Sequence, residues 1–135
     1  MLVSDNESDY IYCLKNELKR YLYDVLLEQM CHKELLMRID SIPTHLQKRI
    51  DESVIDITFE YYLNRMKDSE IDQKELISVL KNYYDKLKKL YHNLLVITVK
   101  LEVELIRAKI PFEIDHIRMN ELKDEAQRRT EKLLA

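Results

Sequence analysis

The side chains best suited to chemistry in this 135-residue chain are four histidines and two cysteines. Their spacing offers little to a metal or a nucleophilic mechanism. Cys31 and His32 are adjacent, so on a helix they point to different faces, and His45, His92 and His116 are scattered. Zinc sites normally bring their ligands in as Cys-x-x-Cys or His-x-x-x-His pairs, and neither is present. Glu113 and His116 form the one Glu-x-x-His match. A di-iron bundle needs two such motifs and two further glutamates, and this match stands alone just after a proline. Cys13 and Cys31 lie on one predicted helix, ~27 Å apart by helical rise, beyond disulfide reach. They read as reduced thiols. Serines sit at helix starts, where capping is their ordinary work. No catalytic residue, metal ligand or cofactor site is expected, and the chain reads as a non-enzyme.

Tyrosine is the remaining unusual feature, with nine residues. Tyr21, Tyr61, Tyr83 and Tyr91 lie on or beside apolar stripes. They read equally as helical core with the hydroxyl at water and as interface anchors of large, rigid contact area. In Tyr61-Tyr62 and Tyr83-Tyr84 the adjacent rings face different sides of a helix, so both rings of a pair are not expected against one neighbour.

The elements that must position these groups are helical. Glycine is absent, there are two prolines, hydrophobic residues make up 46% and charged residues 35%. Without glycine, phosphate-cradling loops and tight hairpins lose the residue that enters positive φ freely, and the rest of the composition is that of long helices. A net charge of −3 gives no reason to expect nucleic acid as partner. The basic run Lys86, Lys88, Lys89 reads as a solvated helix face. The acidic start is no signal peptide, and no apolar run is long enough to span a membrane.

Ser4 and Glu7 fit a capping box opening helix one, whose stripe runs Ile11, Leu14, Leu18, Tyr21, Leu22, Val25. The pattern weakens after Met30 and ends by Ser41-Ile42-Pro43. Thr44 with Gln47 suggests a second capping box, and Leu46, Ile50, Val54, Ile57 and Tyr61 make helix two. Ser69 with Asp72 starts helix three. There Leu76, Leu80, Tyr83, Leu87, Leu90, Leu94, Ile97 and Leu101 alternate spacings of four and three, the heptad pattern of paired helices. Glu104 breaks it, and Leu105 and Ala108 resume it one position late, a stutter. Pro111 stops the helix. Helix four, from about Glu113, has a thin apolar face of Ile114, Ile117, Leu122, Ala126 and Leu133. The chain ends inside this helix without a C-cap signal, as a native or a cut end would.

Within this frame, Leu87-Lys88-Lys89-Leu90-Tyr91, then Thr98-Val99-Lys100-Leu101, then Arg107 and Pro111, resemble the Nsl-type (Mis-fourteen) subunit of the kinetochore Mis-twelve complex, called MIND in yeasts. Phe59-Glu60-Tyr61-Tyr62-Leu63-Asn64-Arg65-Met66 is similar to the end of that family's head helices. The resemblance covers Leu46 to Leu122. It implies a helical head with a stalk, an obligate Dsn-type partner with other MIND subunits, a nuclear location at the kinetochore, and a linker role between centromere and microtubule-binding proteins.

The expected fold is therefore all-α: a short helical head over residues 1–68, a long coiled-coil-forming helix over 69–110, and a C-terminal helix over 111–135. The expected function is a structural subunit of a helical hetero-oligomer, with Leu80, Tyr83, Leu87, Leu90, Leu94, Ile97 and Leu101 meeting the partner helix in parallel. Leaving that row in water would be costly, since each buried leucine is worth roughly 1.5–3 kcal/mol. The isolated chain is accordingly expected not to be an ordered monomer. The alternatives are a prefoldin-like chaperone subunit, which would pair its helices through a β-hairpin, and an autonomous helical-bundle regulatory protein, both cytoplasmic. The bundle alternative becomes the better reading if Leu76 to Leu101 packs against the chain's own first helix.

Overall fold

A computed structural model describes residues 2–53 and 72–134, with side chains over 9–53 and 72–133. Among the described residues all regular structure is helical: α1 (Leu2–Leu36), α2 (Thr44–Glu52), α3 (Gln73–Arg107) and α4 (His116–Leu134). The second half of the expected helix two, with Val54, Ile57, Tyr61 and Tyr62, and the expected break at Ser69 lie outside the described residues.

Two rods dominate. α1 and α3 each have 35 residues, about 52 Å at helical rise. They lie side by side and point the same way, since contacts climb both helices together. Lys81 sits over the Tyr10 ring, Tyr84 meets Glu17 and Tyr21, Tyr91 meets Tyr21, and Thr98 meets His32. The row Leu80, Tyr83, Leu87, Leu94, Ile97, Leu101 and Leu105 is buried, in one continuous apolar core with Leu18, Leu22 and Val25 of α1. The heptad stripe therefore packs against the chain's own first helix.

The two shorter helices run the other way. α2 returns along α3, its start beside Glu104 and Arg107 and its end beside Leu90 and Ile97, and buries Leu46 and Ile50. α4 returns along the second half of α1. Arg38 Nη1 donates to the carbonyls of Pro111 and Glu113 at 3.2 and 3.0 Å, Glu34 binds Arg118, and Cys31 meets Met119. Leu122, Ala126 and Thr130 form its buried line, and the Thr130 hydroxyl is satisfied by the Ala126 carbonyl at 2.8 Å. Ile117, expected on that line, is 74% exposed, because the packed face follows the four-residue spacing of Leu122, Ala126 and Thr130.

Several boundaries differ from expectation. α1 begins at Leu2, which places Ser4 inside the helix rather than at its cap. α2 has Pro43 at its N-cap with no side-chain cap bond; the Pro43 carbonyl accepts from Leu46 and Gln47 instead, and Gln47 bonds Asp51. α3 is capped by Asp72, whose carboxylate accepts from the Lys74 amide. α4 starts behind Asp115, whose carboxylate accepts from the Arg118 amide at 2.8 Å. α3 continues through Glu104 without interruption, with Leu105 buried, while Ala108 is its exposed C-cap.

The end of α3 carries the clearest backbone cost. Lys109 has φ 57°, the left-handed region that disfavours residues with a Cβ. The Ile110 amide donates to Leu105 O at 2.9 Å and the Lys109 amide to Ile106 O at 3.0 Å, a Schellman motif in which glycine normally holds the left-handed position. Ile110 packs back on the core and fixes the turn. Lys109→Gly is expected to stabilise the fold by about 0.5–1 kcal/mol and Lys109→Val to destabilise it by about 1 kcal/mol or more. Urea midpoints should move in opposite directions for the two variants at unchanged slope.

Candidate functional site

The pattern of α1 weakens after Met30 because two polar residues occupy its buried line. Gln29 and His32 are 9% and 2% exposed. Gln29 Nε2 donates to Ile50 O of α2 at 3.3 Å. His32 Nε2 lies 2.7 Å from Thr98 Oγ1, and Thr98 donates its own hydroxyl proton to Leu94 O at 2.9 Å. Only one tautomer satisfies both bonds: the Nε2 proton goes to Thr98, with Glu28 Oε2 at 3.5 Å as a looser second acceptor. Nδ1 then carries a lone pair, is buried, and has no hydrogen-bond partner. Burial lowers the His32 pKa to about 4, so the ring is neutral at pH 7.

Cys31, His32, Thr98, Phe112 and Met119 line an open cleft between α1, α3 and the start of α4. Cys31 Sγ lies 4.0 Å from Met119 Sδ. Burial first, then Glu28 and Glu34, push the Cys31 thiol up to about 11, so it is protonated at neutral pH and a poor nucleophile. Among the described residues no group of three or more His, Cys, Asp or Glu side chains is placed to hold a metal ion. Glu113 and His116 are both exposed, and His116 Nε2 lies near Asn120. The charged groups on α4 bind one another and α1: Arg118 Nε donates to Glu34 at 2.7 Å and its Nη1 to Glu121 at 2.8 Å, while Arg128 and Arg129 bind Glu125.

The tyrosines of α3 belong to the core. Tyr83 is 7% exposed. Tyr84 meets Tyr21 edge-on at 5.1 Å, and Tyr91 meets the same ring at 6.3 Å. Adjacent rings are both used because Tyr84, at the flank of the stripe, reaches α1 beside Tyr83. Lys88 Nζ covers the open side of Tyr84 at 4.4 Å. Of the residues expected to meet a partner, Leu80, Tyr83, Leu87, Leu94, Ile97 and Leu101 are buried within the chain and Leu90 is half-buried.

A different face of α3 is open. Leu95, Val96, Val99, Val103 and Ile106 are exposed at 43, 41, 62, 42 and 64%. At 100° per residue they lie opposite Leu94, Ile97, Leu101 and Leu105. The same face in the first half of the helix carries Lys81, Asp85, Lys88 and His92, all exposed. The apolar patch is thus confined to the last three turns. Its signal is visible in the sequence as the run Leu94-Leu95-Val96-Ile97, followed by Val99 and Val103, apolar on every side of the helix. Following the heptad stripe alone passes over it.

No family model, curated protein or solved structure matches this chain.

The buried histidine sets a pH dependence. Its folded pKa lies below the ordinary value of 6.5, so the unfolded chain takes up a proton first and stability falls as pH drops from about 6.5 towards 4. Asp24 and Glu28 have raised values, both chiefly from burial. They act in the opposite sense, adding stability as they protonate at more acid pH. From pH 7.5 to 5.5 the protein is expected to lose about 1 kcal/mol, or roughly 3 °C in Tm. His32→Gln, which keeps a donor for Thr98, should remove most of that slope; an equally steep slope in the variant would assign it to other groups.

Proposed function

We propose that this chain is a non-enzymatic helical interaction protein: an autonomous bundle that offers the outer face of α3 to an amphipathic helix of a protein partner. The observation that carries this reading is the apolar patch Leu95–Ile106 on a helix whose opposite face is already committed to the core. Its width is one helix. Lys100 and Arg107 border it on one side and Glu102 on the other, the arrangement of a paired-helix seam. Among the described residues, the acids and bases of α4 bind one another and α1, and the Cys31 thiol is held protonated.

The Nsl-type reading asks the Leu76–Leu101 row to meet a Dsn-type helix. Here that row meets α1, so support for a kinetochore linker reduces to the residue resemblance, and the bundle alternative is the better supported. A prefoldin-like subunit requires a hairpin, and among the described residues there is no strand.

Two paired substitutions separate the faces. Leu87→Glu with Leu94→Glu buries two carboxylates in the core and should unfold the chain. Val99→Glu with Ile106→Glu should leave the Tm within about 2 °C, as expected for open positions, yet shrink the assembly that contains the chain in its own cells, read by native size fractionation. An assembly of unchanged size in the second variant would overturn the reading.

A further inference from the structure

The outer patch of α3 has a register of its own. Val96, Val99, Val103 and Ile106 follow spacings of three, four and three, the a, d, a, d positions of a helix-pairing seam. In that register Ile97, Thr98, Leu101 and Leu105 fall at b, c, f and c, the positions turned away from the seam, and they are the ones facing the core: Ile97, Leu101 and Leu105 are buried and Thr98 is bonded to His32. Lys100 and Arg107 take the e positions, and Leu95 and Glu102 the g positions.

We propose that a second copy of this chain occupies this seam, its α3 running in the same direction about a two-fold axis. The inference rests on the reading of the patch as a protein-binding face and names its occupant.

Charge complementarity selects both the occupant and its direction. When two identical helices pair in the same direction, a g residue of one faces the e residue five positions later on the other. Glu102 then meets Arg107 of the second copy, and by symmetry the pair forms twice. Leu95 meets Lys100 of the second copy, whose methylene stem covers it. Arg107 is free to do this: its contact with Glu104 is a surface pair at 3.4 Å with the arginine 73% exposed. In the opposite direction e faces e, and Lys100 would meet Arg107 twice, like charge on like.

Among the described residues, the surroundings leave room for one added helix. The end of α2, at Glu52 and Ser53, lies beside Val96, and Phe112 lies beside Glu102, so the patch is bordered on both sides. Towards the N-terminus the seam stops where His92 and Lys89 take the next d and a positions, both exposed. Towards the C-terminus α3 ends at Arg107. The patch exposes roughly 400 Å² of apolar surface, within the range of functional patches on monomers. Two copies with their flanking charges bury on the order of 1,000 Å², the low end for a specific interface and the size at which weak, reversible contacts are found.

Sedimentation velocity of the full chain from about 1 to 200 µM tests this. The expected result is a monomer–dimer equilibrium that Val99→Glu with Ile106→Glu abolishes, with helix content and melting retained. Val99→Gln with Ile106→Gln gives the same reading if the carboxylates disturb the fold. Arg107→Glu alone should weaken the dimer about fivefold or more, and adding Glu102→Arg should restore it. A chain that stays monomeric throughout, or a dimer indifferent to both paired patch variants, overturns the proposal; an Arg107→Glu dimer tighter than the parent overturns the shared direction. A pure chain that is monomeric, but whose cellular assembly still shrinks when Val99 and Ile106 become Glu, would reject the second copy as occupant and leave the partner-binding face standing.

Discussion

Leu18, Leu22 and Val25 on α1 and Leu80, Leu87 and Leu94 on α3 have almost no surface left to water, and the rest of the molecule is arranged around the line they form. Burying leucine at roughly 1.5–3 kcal/mol per side chain is the term large enough to hold two rods of this length together. Surface ion pairs such as Lys33 with Asp51, worth ~0–1 kcal/mol each, are not. α2 and α4 thicken only the far half of this pair, where α1 has neighbours on several sides. In that half α1 turns partly polar, and its polar groups are bonded across to fixed points: Gln29 to the end of α2 and His32 to Thr98. An apolar row tolerates a slip of one turn. A histidine that must find one hydroxyl does not, so this bond holds the two rods in register.

Much of this was legible in the sequence. The absence of glycine and the four-three spacing on helix three give the all-α class and the buried row from Leu80 to Leu101, with Leu90 alone of that row half-buried. The partner of that row was not legible. A heptad stripe states that a matching surface exists and that it runs alongside, but not which molecule carries it. The matching surface on α1 is disguised because Gln29 and His32 occupy it, and polar residues at those positions read as the end of a stripe. The left-handed turn at Lys109 is invisible for the opposite reason: the residue type that usually announces it is missing, and tertiary packing of Ile110 compels the conformation.

The open face of α3 follows the same logic. Leu95, Val96 and Val99 stand in plain view in the sequence, yet they sit between residues of a stronger periodic signal and are absorbed into it. Once the core claims Leu94, Ile97 and Leu101, the remainder of the run resolves into a second register on the same helix. One helix thus carries two apolar registers back to back, one packed within the chain and the other exposed, with a sharp change from charged to apolar after His92.

The shared direction of α1 and α3 bears on how the chain folds. Tyr84 meets Glu17 across 67 positions and Thr98 meets His32 across 66. In an antiparallel hairpin the first contacts would form next to the loop and zip outward, each closing a short stretch of chain. Here every contact along the pair closes a loop of similar, large size, so the docking of the two rods has no short first closure of its own, whereas α2 reaches α1 across only 21 positions from Gln29 to Ile50. On the ribosome, the apolar stripe of α1 is made first and waits, unpaired, while α3 is synthesised. That interval is the window in which the nascent chain is most exposed to wrong associations and has most to gain from a chaperone.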